Sequence, residues 1–385
     1  MKQFYLFVHF LILTLGFVTY PQLSSAQTIV ENIKKPMPEF EKMPLDKFIR
    51  TSQLYDEMPF DDEFLSYKVR IPNGWVKGEN KEFNEVDLNK KVMGELDRYF
   101  APTRLGERSY FSIQAEQLAY RLTAEQWVVQ FVLENGYNLE GMRVVNDSEV
   151  EMIYVLIDKG NTYIVSAKAI LNGPRIIFIQ YVAPSEVWQA EQASAMRIVE
   201  SFELQSYDDS QVEPLKVYEF LDIAQMQYPL SWRLVTKPLK SAERMSLELW
   251  NVANAQNFNQ GHVLKGKMEI HLIADYVFDD VGIEQGMADF KESVVIERLA
   301  IKGEVEQIDD FVVDEAMELI EVKVYEAVNP AGRILDYEFW LAVMKEDDYY
   351  YFLTLLTPSR DSDYLNWARN TQTLRVVAES IGPLY

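Results

Sequence analysis

The chain contains no cysteine and only three histidines in 385 residues. Each shortage closes off some chemistry. Without thiols there is no disulfide, no zinc–thiolate or iron–sulfur site and no cysteine nucleophile. His9 falls in an N-terminal apolar stretch, which leaves His262 and His271. With two histidines and no G-x-S-x-G segment, a hydrolase triad is not expected. Basic residues are also short: Lys plus Arg is 37 against 60 for Asp plus Glu, a net charge of −23. Nucleic acid needs a basic patch for its phosphates, so it is not an expected partner. Anionic lipid surfaces are disfavoured for the same reason. After residue 26 no apolar run reaches the roughly 20 residues of a spanning helix.

What is present is apolar mass. The chain is 48% hydrophobic and 13% aromatic, and its length suits two domains of roughly 150 residues each. Lys2, the apolar run Phe4–Val18, Pro21 and the small residues Ser24 and Ala26 ahead of Gln27 read as a cleaved secretory signal over residues 1–26. The protein is therefore expected to be exported, to the periplasm of a Gram-negative envelope first and the medium second. Residues 27–64 carry Pro36, Pro38, Pro44 and Pro59. Proline at that density forbids a long helix or strand, so an extended, at most partly ordered leader is expected.

Regular structure begins near Leu65. "LSYKVRIPNGW" reads as a strand closed by Pro72 and an Asn73-Gly74 turn. Leu88, Val92, Leu96 and Tyr99 lie at helical spacing over residues 87–100, and "SYFSIQAEQLAY" reads as a strand. Thr123 and Gln126 form a capping box for a helix ended by Gly136. Residues 149–157, 162–171 and 175–182 are three strands joined by short turns, hence antiparallel. After Pro184, Ser185 is expected to cap a helix that buries Trp188, Ala195, Val199 and Phe202. Residues 205–215 are polar and acidic and serve as the linker between domain 65–204 and domain 216–385.

The second domain repeats the order of the first. Pro229-x-x-Trp232 stands where the first has Pro72-x-x-Trp75, and Pro358-Ser359 where it has Pro184-Ser185. A shift of 174 places residues 162–185 on 336–359 without a gap, with four of 24 pairs identical. Periodicity carries more than identity here. Tyr163, Val165, Ala167 and Ala169 alternate, as do Tyr337, Phe339, Leu341 and Val343, and a one-residue slip would turn either face to water. Proline ends a strand because it cannot donate to the ladder, and a serine with acidic residues after it suits the start of a helix.

A strand ending "IPNGW" or "YPLSW", a capped helix, a three-stranded meander and a Pro-Ser exit into a closing helix resemble the PsbP-like superfamily, which includes DcrB-like envelope proteins. The resemblance implies an α+β fold of two tandem α/β/α sandwiches, each a mainly antiparallel sheet flanked by helices. It also implies accessory, binding or assembly roles rather than catalysis.

Sites for chemistry are few. Gly261, Gly266 and Lys267 match most of a phosphate-binding loop, but Met268 stands where Ser or Thr is needed, and a strand follows instead of a helix. His271 is expected on a solvated strand face with Glu269 and Asp275. The acidic pairs lack EF-hand spacing and read as turns, Asp347-Asp348 in a tight hairpin. No catalytic residue, cofactor or metal is expected. Trp340, on the opposite side of its strand from Phe339 and Leu341, and Tyr349, Tyr350 and Tyr351 are the candidate partner-contact surface. The expected function is a non-enzymatic envelope module that binds another envelope protein. The alternatives are a carrier of a small ligand or metal in the inter-domain cleft, and a hydrolase using distant carboxylates.

Overall fold

The computed structural model describes residues 34–78, 93–104, 108–236, 241–251, 264–279, 282–294, 298–330 and 335–384. The signal segment, residues 27–33, Gly261 and His262 lie outside the described residues. The first half supplies α1 (Leu45–Arg50), β1 (Ser52–Glu57), β2 (Tyr67–Pro72), β3 (Val76–Lys77), β4 (Gly94–Phe100), β5 (Tyr110–Gln117) and α2 (Ala124–Asn135). It continues through β6 (Asn138–Asn146), β7 (Glu149–Asp158), β8 (Asn161–Asn172), β9 (Arg175–Pro184), α3 (Ser185–Glu200) and β10 (Glu203–Leu204). The second half supplies β11 (Leu215–Phe220), β12 (Ala224–Pro229), β13 (Trp232–Thr236), β14 (Arg244–Asn251), β15 (Lys267–Ala274) and α4 (Ile283–Ser293). It closes with β16 (Ala300–Gln307), β17 (Glu318–Val328), β18 (Tyr337–Glu346), β19 (Tyr349–Pro358), α5 (Tyr364–Ser380) and β20 (Gly382–Pro383).

The architecture is α+β, and its strand order repeats. One seven-stranded sheet runs β3-β4-β5-β9-β8-β7-β6, the other β13-β14-β15-β19-β18-β17-β16. Beside them lie three-stranded sheets, β1-β2-β10 and β11-β12-β20. Every strand of the second unit has its counterpart in the first at the same place. The central hairpins even share their register: Tyr163 faces Pro184, and Tyr337 faces Pro358. Both hairpins turn through a left-handed residue, Gly173 at φ 58° and Asp347 at φ 38°. Glycine adopts that conformation freely and Asp tolerates it.

Each large sheet is buried on both faces. In the first unit Val165, Ala167, Ala169 and Phe178 pack under Trp127, Val128 and Val132 of α2. Its other face packs against Trp188, Ala195, Ile198 and Val199 of α3 and the small sheet's Tyr67, Val69 and Ile71. In the second unit Phe339, Leu341, Val343 and Phe352 meet Met287 and Phe290 of α4. The far face carries Trp340, Ala342 and Leu353 against Leu374 and Val377 of α5. The alternating residues that match under the 174-residue shift therefore lie on the same face of each sandwich. The Pro-x-x-Trp motif marks the passage from small sheet to large: Pro72 ends β2 before β3, and Pro229 ends β12 before β13. Trp232 is buried there, and Trp75 packs on Tyr181 with ring centroids 5.7 Å apart.

Several expectations need correction. Residues 94–100 form strand β4, not the end of a helix. A register break between Glu95 and Asp97 puts both Leu96 and Tyr99 in the core, and this bulge imitates a helical spacing. The expected leader is partly built into the first unit: residues 45–57 form α1 and β1, and β1 pairs along all of β2. The prolines act as punctuation there, Pro44 preceding α1 and Pro59 following β1. The capping box of α2 is present as expected, Thr123 Oγ1 accepting from Gln126 N at 3.1 Å and Gly136 closing the helix in the left-handed region. Ser185, however, makes no cap bond; it is the first residue of α3, after Pro184. Ser359 does not open α5 either. Residues 359–363 form a turn in which Ser359 Oγ meets Ser362 Oγ at 3.0 Å, and Asp363 caps the helix through Asn366 N. This turn shifts the closing helix relative to its hairpin, so Trp188 corresponds to Trp367 and Ala195 to Leu374. Edge strands β6 and β16 had no counterpart in the sequence reading.

Candidate functional site

The two units meet along α2 and α5. Leu122 and Val129 of the first unit bury against Tyr364 and Ala368 of the second. Arg369 stacks on Tyr120 with its guanidinium 4.2 Å from the ring centroid and donates to the Ser231 carbonyl at 3.2 Å. Burial in this seam lowers the Arg369 pKa. Arg121 pairs with Glu379 across the junction at 3.0 Å. The linker is fixed to both sides. Asn172 Nδ2 donates to the Ser206 carbonyl and its Oδ1 accepts from Asp208 N at 2.7 Å. On the other side Leu230 N donates to the Pro214 carbonyl at 2.9 Å.

Beside the seam lies a cleft of about 1260 Å³. Its walls are the start of α2, the β6–β7 turn, the linker, the stretch following β16 and one side of α5. Nine carboxylates line it against four basic side chains, so its field is negative like that of the whole chain. Three of the four bases are engaged: Lys34 with Glu125 at 2.6 Å, Arg121 with Glu379, and Arg360 with Glu306 at 2.9 Å. The fourth, Arg375, lies over the Phe311 ring at 5.1 Å. Tyr207 is 72% exposed and Val312 59%, so apolar surface stands open between the charges.

One wall holds a buried carboxylate. Glu338 of β18 accepts from Trp340 Nε1 at 3.0 Å, Trp367 Nε1 at 2.8 Å and Arg360 Nε at 2.9 Å. The Arg360 guanidinium lies 4.8 Å from the Trp367 ring centroid. Burial opposes the Arg360 charge, but Glu338 and Glu306 outweigh it and raise its pKa. The arrangement fixes two indoles and an arginine as a rigid polar wall. The sequence showed Glu338 beside Trp340; it gave no sign that a helix residue and a turn residue would converge on it.

The proposed aromatic contact surface is not one. Trp340 is 4% exposed beneath α5, and Tyr351 is fully buried. Tyr349 is half-buried, its hydroxyl donating to the Ala242 carbonyl at 3.3 Å, and Tyr350 lies between Phe278 and Lys345. Helices cover both faces of the sheet, so alternation along the strand exposes neither side. Trp340 still reaches the cleft wall; the three tyrosines do not line it. His271 is likewise not solvated. It packs on Phe290 of α4 at 4.6 Å and lies 3.2 Å from Glu269. Burial alone would raise the Glu269 pKa, but bonds from His271 and Lys267 hold it down at about 2. Among the described residues no group of three or more metal-ligating side chains is placed to hold an ion. Gly266 immediately precedes β15, and a Cβ there would come within 2.5 Å of Asn370, so its smallness serves the packing of α5.

A second polar cluster escaped the sequence reading altogether. Under the first unit's small sheet, buried Asp97 accepts from Tyr67, which lies 3.1 Å from Tyr99. Lys77 bridges Asp97 at 2.8 Å and Glu57 at 3.1 Å. Burial, then the Asp97 charge, pushes the Tyr67 hydroxyl far above its ordinary range.

Neither a family model nor a curated protein matches the chain. Among solved structures, cyanobacterial PsbP from Synechocystis sp. PCC 6803 aligns at 17% identity and a TM-score of 0.30, over 40% of this chain and 92% of that one. The Ran-binding protein Mog1p of Saccharomyces cerevisiae aligns at 9% identity and 0.29, over 40% and 95%. The type VI secretion immunity protein TplEi of Pseudomonas aeruginosa aligns at 8% identity and 0.21, over 82% and 94%.

Proposed function

We propose that the protein is a non-enzymatic module of the bacterial envelope, exported by its N-terminal segment, that binds a partner protein in the cleft between its two units. The observation that carries this reading is the cleft: both units and the linker build it, and a seam of packed side chains holds its walls. Its volume of about 1260 Å³ exceeds the roughly 300–1,000 Å³ of small-molecule pockets, which favours a polypeptide segment over a metabolite. Exposed Tyr207 and Val312 offer apolar contact, and the carboxylates around them select against acidic partners.

The cysteine-free chain makes a clean test. Tyr207→Cys and Val312→Cys, each carrying a photo-crosslinker, should capture one and the same envelope protein. Ile157→Cys, on a fully exposed hairpin at 74% exposure, should not. Equal capture at all three positions, or protection of the cleft by a small metabolite in place of a protein, would overturn the reading. Export is tested by N-terminal sequencing of the mature chain, with Gln27 expected first.

A further inference from the structure

The repeat allows one copy to report on the other. In the first unit the edge of the large sheet is paired at one position. Met142 of β6 donates its outward amide to the Lys35 carbonyl at 2.8 Å, in a parallel bridge at Pro36. Gly141 is buried against Pro36 and Pro38, while Leu139 and Met142 are buried in the core under α2. A bulge at Glu140, between Leu139 and Gly141, does not prevent this.

The equivalent edge of the second unit is β16. Met142 faces Met152, which faces Ala167; Gln307 faces Lys323, which faces Leu341. Ala167 and Leu341 match in the repeat, so Gln307 stands where Met142 stands. The bulge recurs too, at Val305 between Glu304 and Glu306. Ile308 donates inward to Val322 at 3.0 Å. Strand alternation then turns the Gln307 N–H and C=O outward. Yet β16 ends its sheet, and Lys302 to Gln307 are all exposed. Among the described residues no segment lies along it.

We infer that the β16 edge at Gln307 is a strand-addition site for an extended, basic segment of a partner protein. An unpaired edge is a template for another chain, and the first unit shows that this bulged edge accepts one. Charge chooses the occupant. Glu304, Glu306, Asp309 and Asp310 surround the edge, while the basic side chains near it are already engaged: Lys302 with Glu326 at 2.9 Å, Lys323 with Glu321 at 2.8 Å and Arg360 with Glu306 at 2.9 Å. A second copy presenting the same edge would set like charges opposite each other, so self-pairing is disfavoured and a basic strand is favoured. Glu306 replaces Gly141, at which a Cβ would lie 2.6 Å from the Pro36 carbonyl. The added segment therefore stays in the plane of the sheet and does not cross it closely, as the prolines of the leader do. Glu306 and Ile308 also line the cleft, so the edge forms its rim, but the inference holds whether or not the cleft is filled.

Amide hydrogen exchange on the full chain tests it, with a synthetic Lys-Val-Lys-Thr-Lys-Val-Lys-Thr peptide as probe. Exchange at Gln307 should slow at least tenfold at saturation, while Met142 is unaffected and the Glu-for-Lys twin peptide does nothing. Gln307→Pro removes an outward donor and no ladder bond; it should weaken binding tenfold or more at unchanged Tm. Glu304→Lys, at an exposed position, should weaken it at least fivefold at low salt and keep the fold if the proline variant does not. No binding, or binding with Gln307 exchange unchanged, overturns the proposal. Protection confined to Tyr207 and Val312 does the same and leaves the cleft reading standing.

Discussion

At the scale of single residues the sharpest case is Glu338. Its oxygens satisfy two indole N–H groups and a half-buried guanidinium. Removing one partner of a buried pair strands the other, at a cost of about 3–5 kcal/mol. Because Arg360 keeps Glu306, Glu338→Ala should cost about 3 kcal/mol in urea unfolding, at the lower end of that range. Glu338→Gln should cost less. Glu269 gives a pH signature. Its folded pKa lies near 2, below the ordinary 4.5, so its contribution is full above pH 4.5 and fades as pH falls toward 2. That contribution is up to about 3 kcal/mol, and Glu269→Gln should flatten the acid limb of the stability curve over that window. Asp347 holds φ 38° where its counterpart is glycine, so Asp347→Gly should leave stability unchanged or raise it by about 0.5 kcal/mol.

At the scale of elements, α2 and α5 hold the molecule's two halves together. Thr123→Ala loses one bond of the capping box and should cost about 1 kcal/mol. Leu374→Ala, fully buried between α5 and the sheet, should cost about 2–5 kcal/mol, read as a lower Tm. Elements with their own local signal were legible in the sequence. The capping box, the hairpin turns and the alternating central strands all declared themselves. Elements held by remote contacts were not. β4 imitates a helix through its bulge, β6 and β16 are edge strands with little apolar patterning, and β1 becomes a strand only because β2 offers it an edge. The site divides the same way. The cleft could be anticipated from tandem units, but the Glu338 wall needed strand, turn and helix brought together. The aromatic surface was misjudged because alternation along a strand does not tell whether a second helix covers its far face.

At the scale of the whole molecule, one unit accounts for both halves. Pro72 corresponds to Pro229, Pro184 to Pro358 and Trp188 to Trp367, with spacing that lengthens along the repeat, so sequence identity fades while strand order survives. The units differ in what they have added. The first carries the Tyr67–Asp97–Lys77 cluster and an edge paired at Met142; the second carries the Glu338 wall and an open edge. This divergence within a fixed frame is what gives the chain a cleft with unlike walls and a single free edge among the described pair, β6 and β16. The most direct measurement is to express residues 34–209 and 210–385 separately and compare their amide NMR spectra with that of the whole chain. The account predicts two dispersed spectra that overlay on the parent, with shifts confined to the cleft, the linker and the seam around Leu122, Val129, Tyr364 and Arg369. A half that remains unfolded alone, or shifts spread through the β7–β8–β9 or β17–β18–β19 meander, would contradict it.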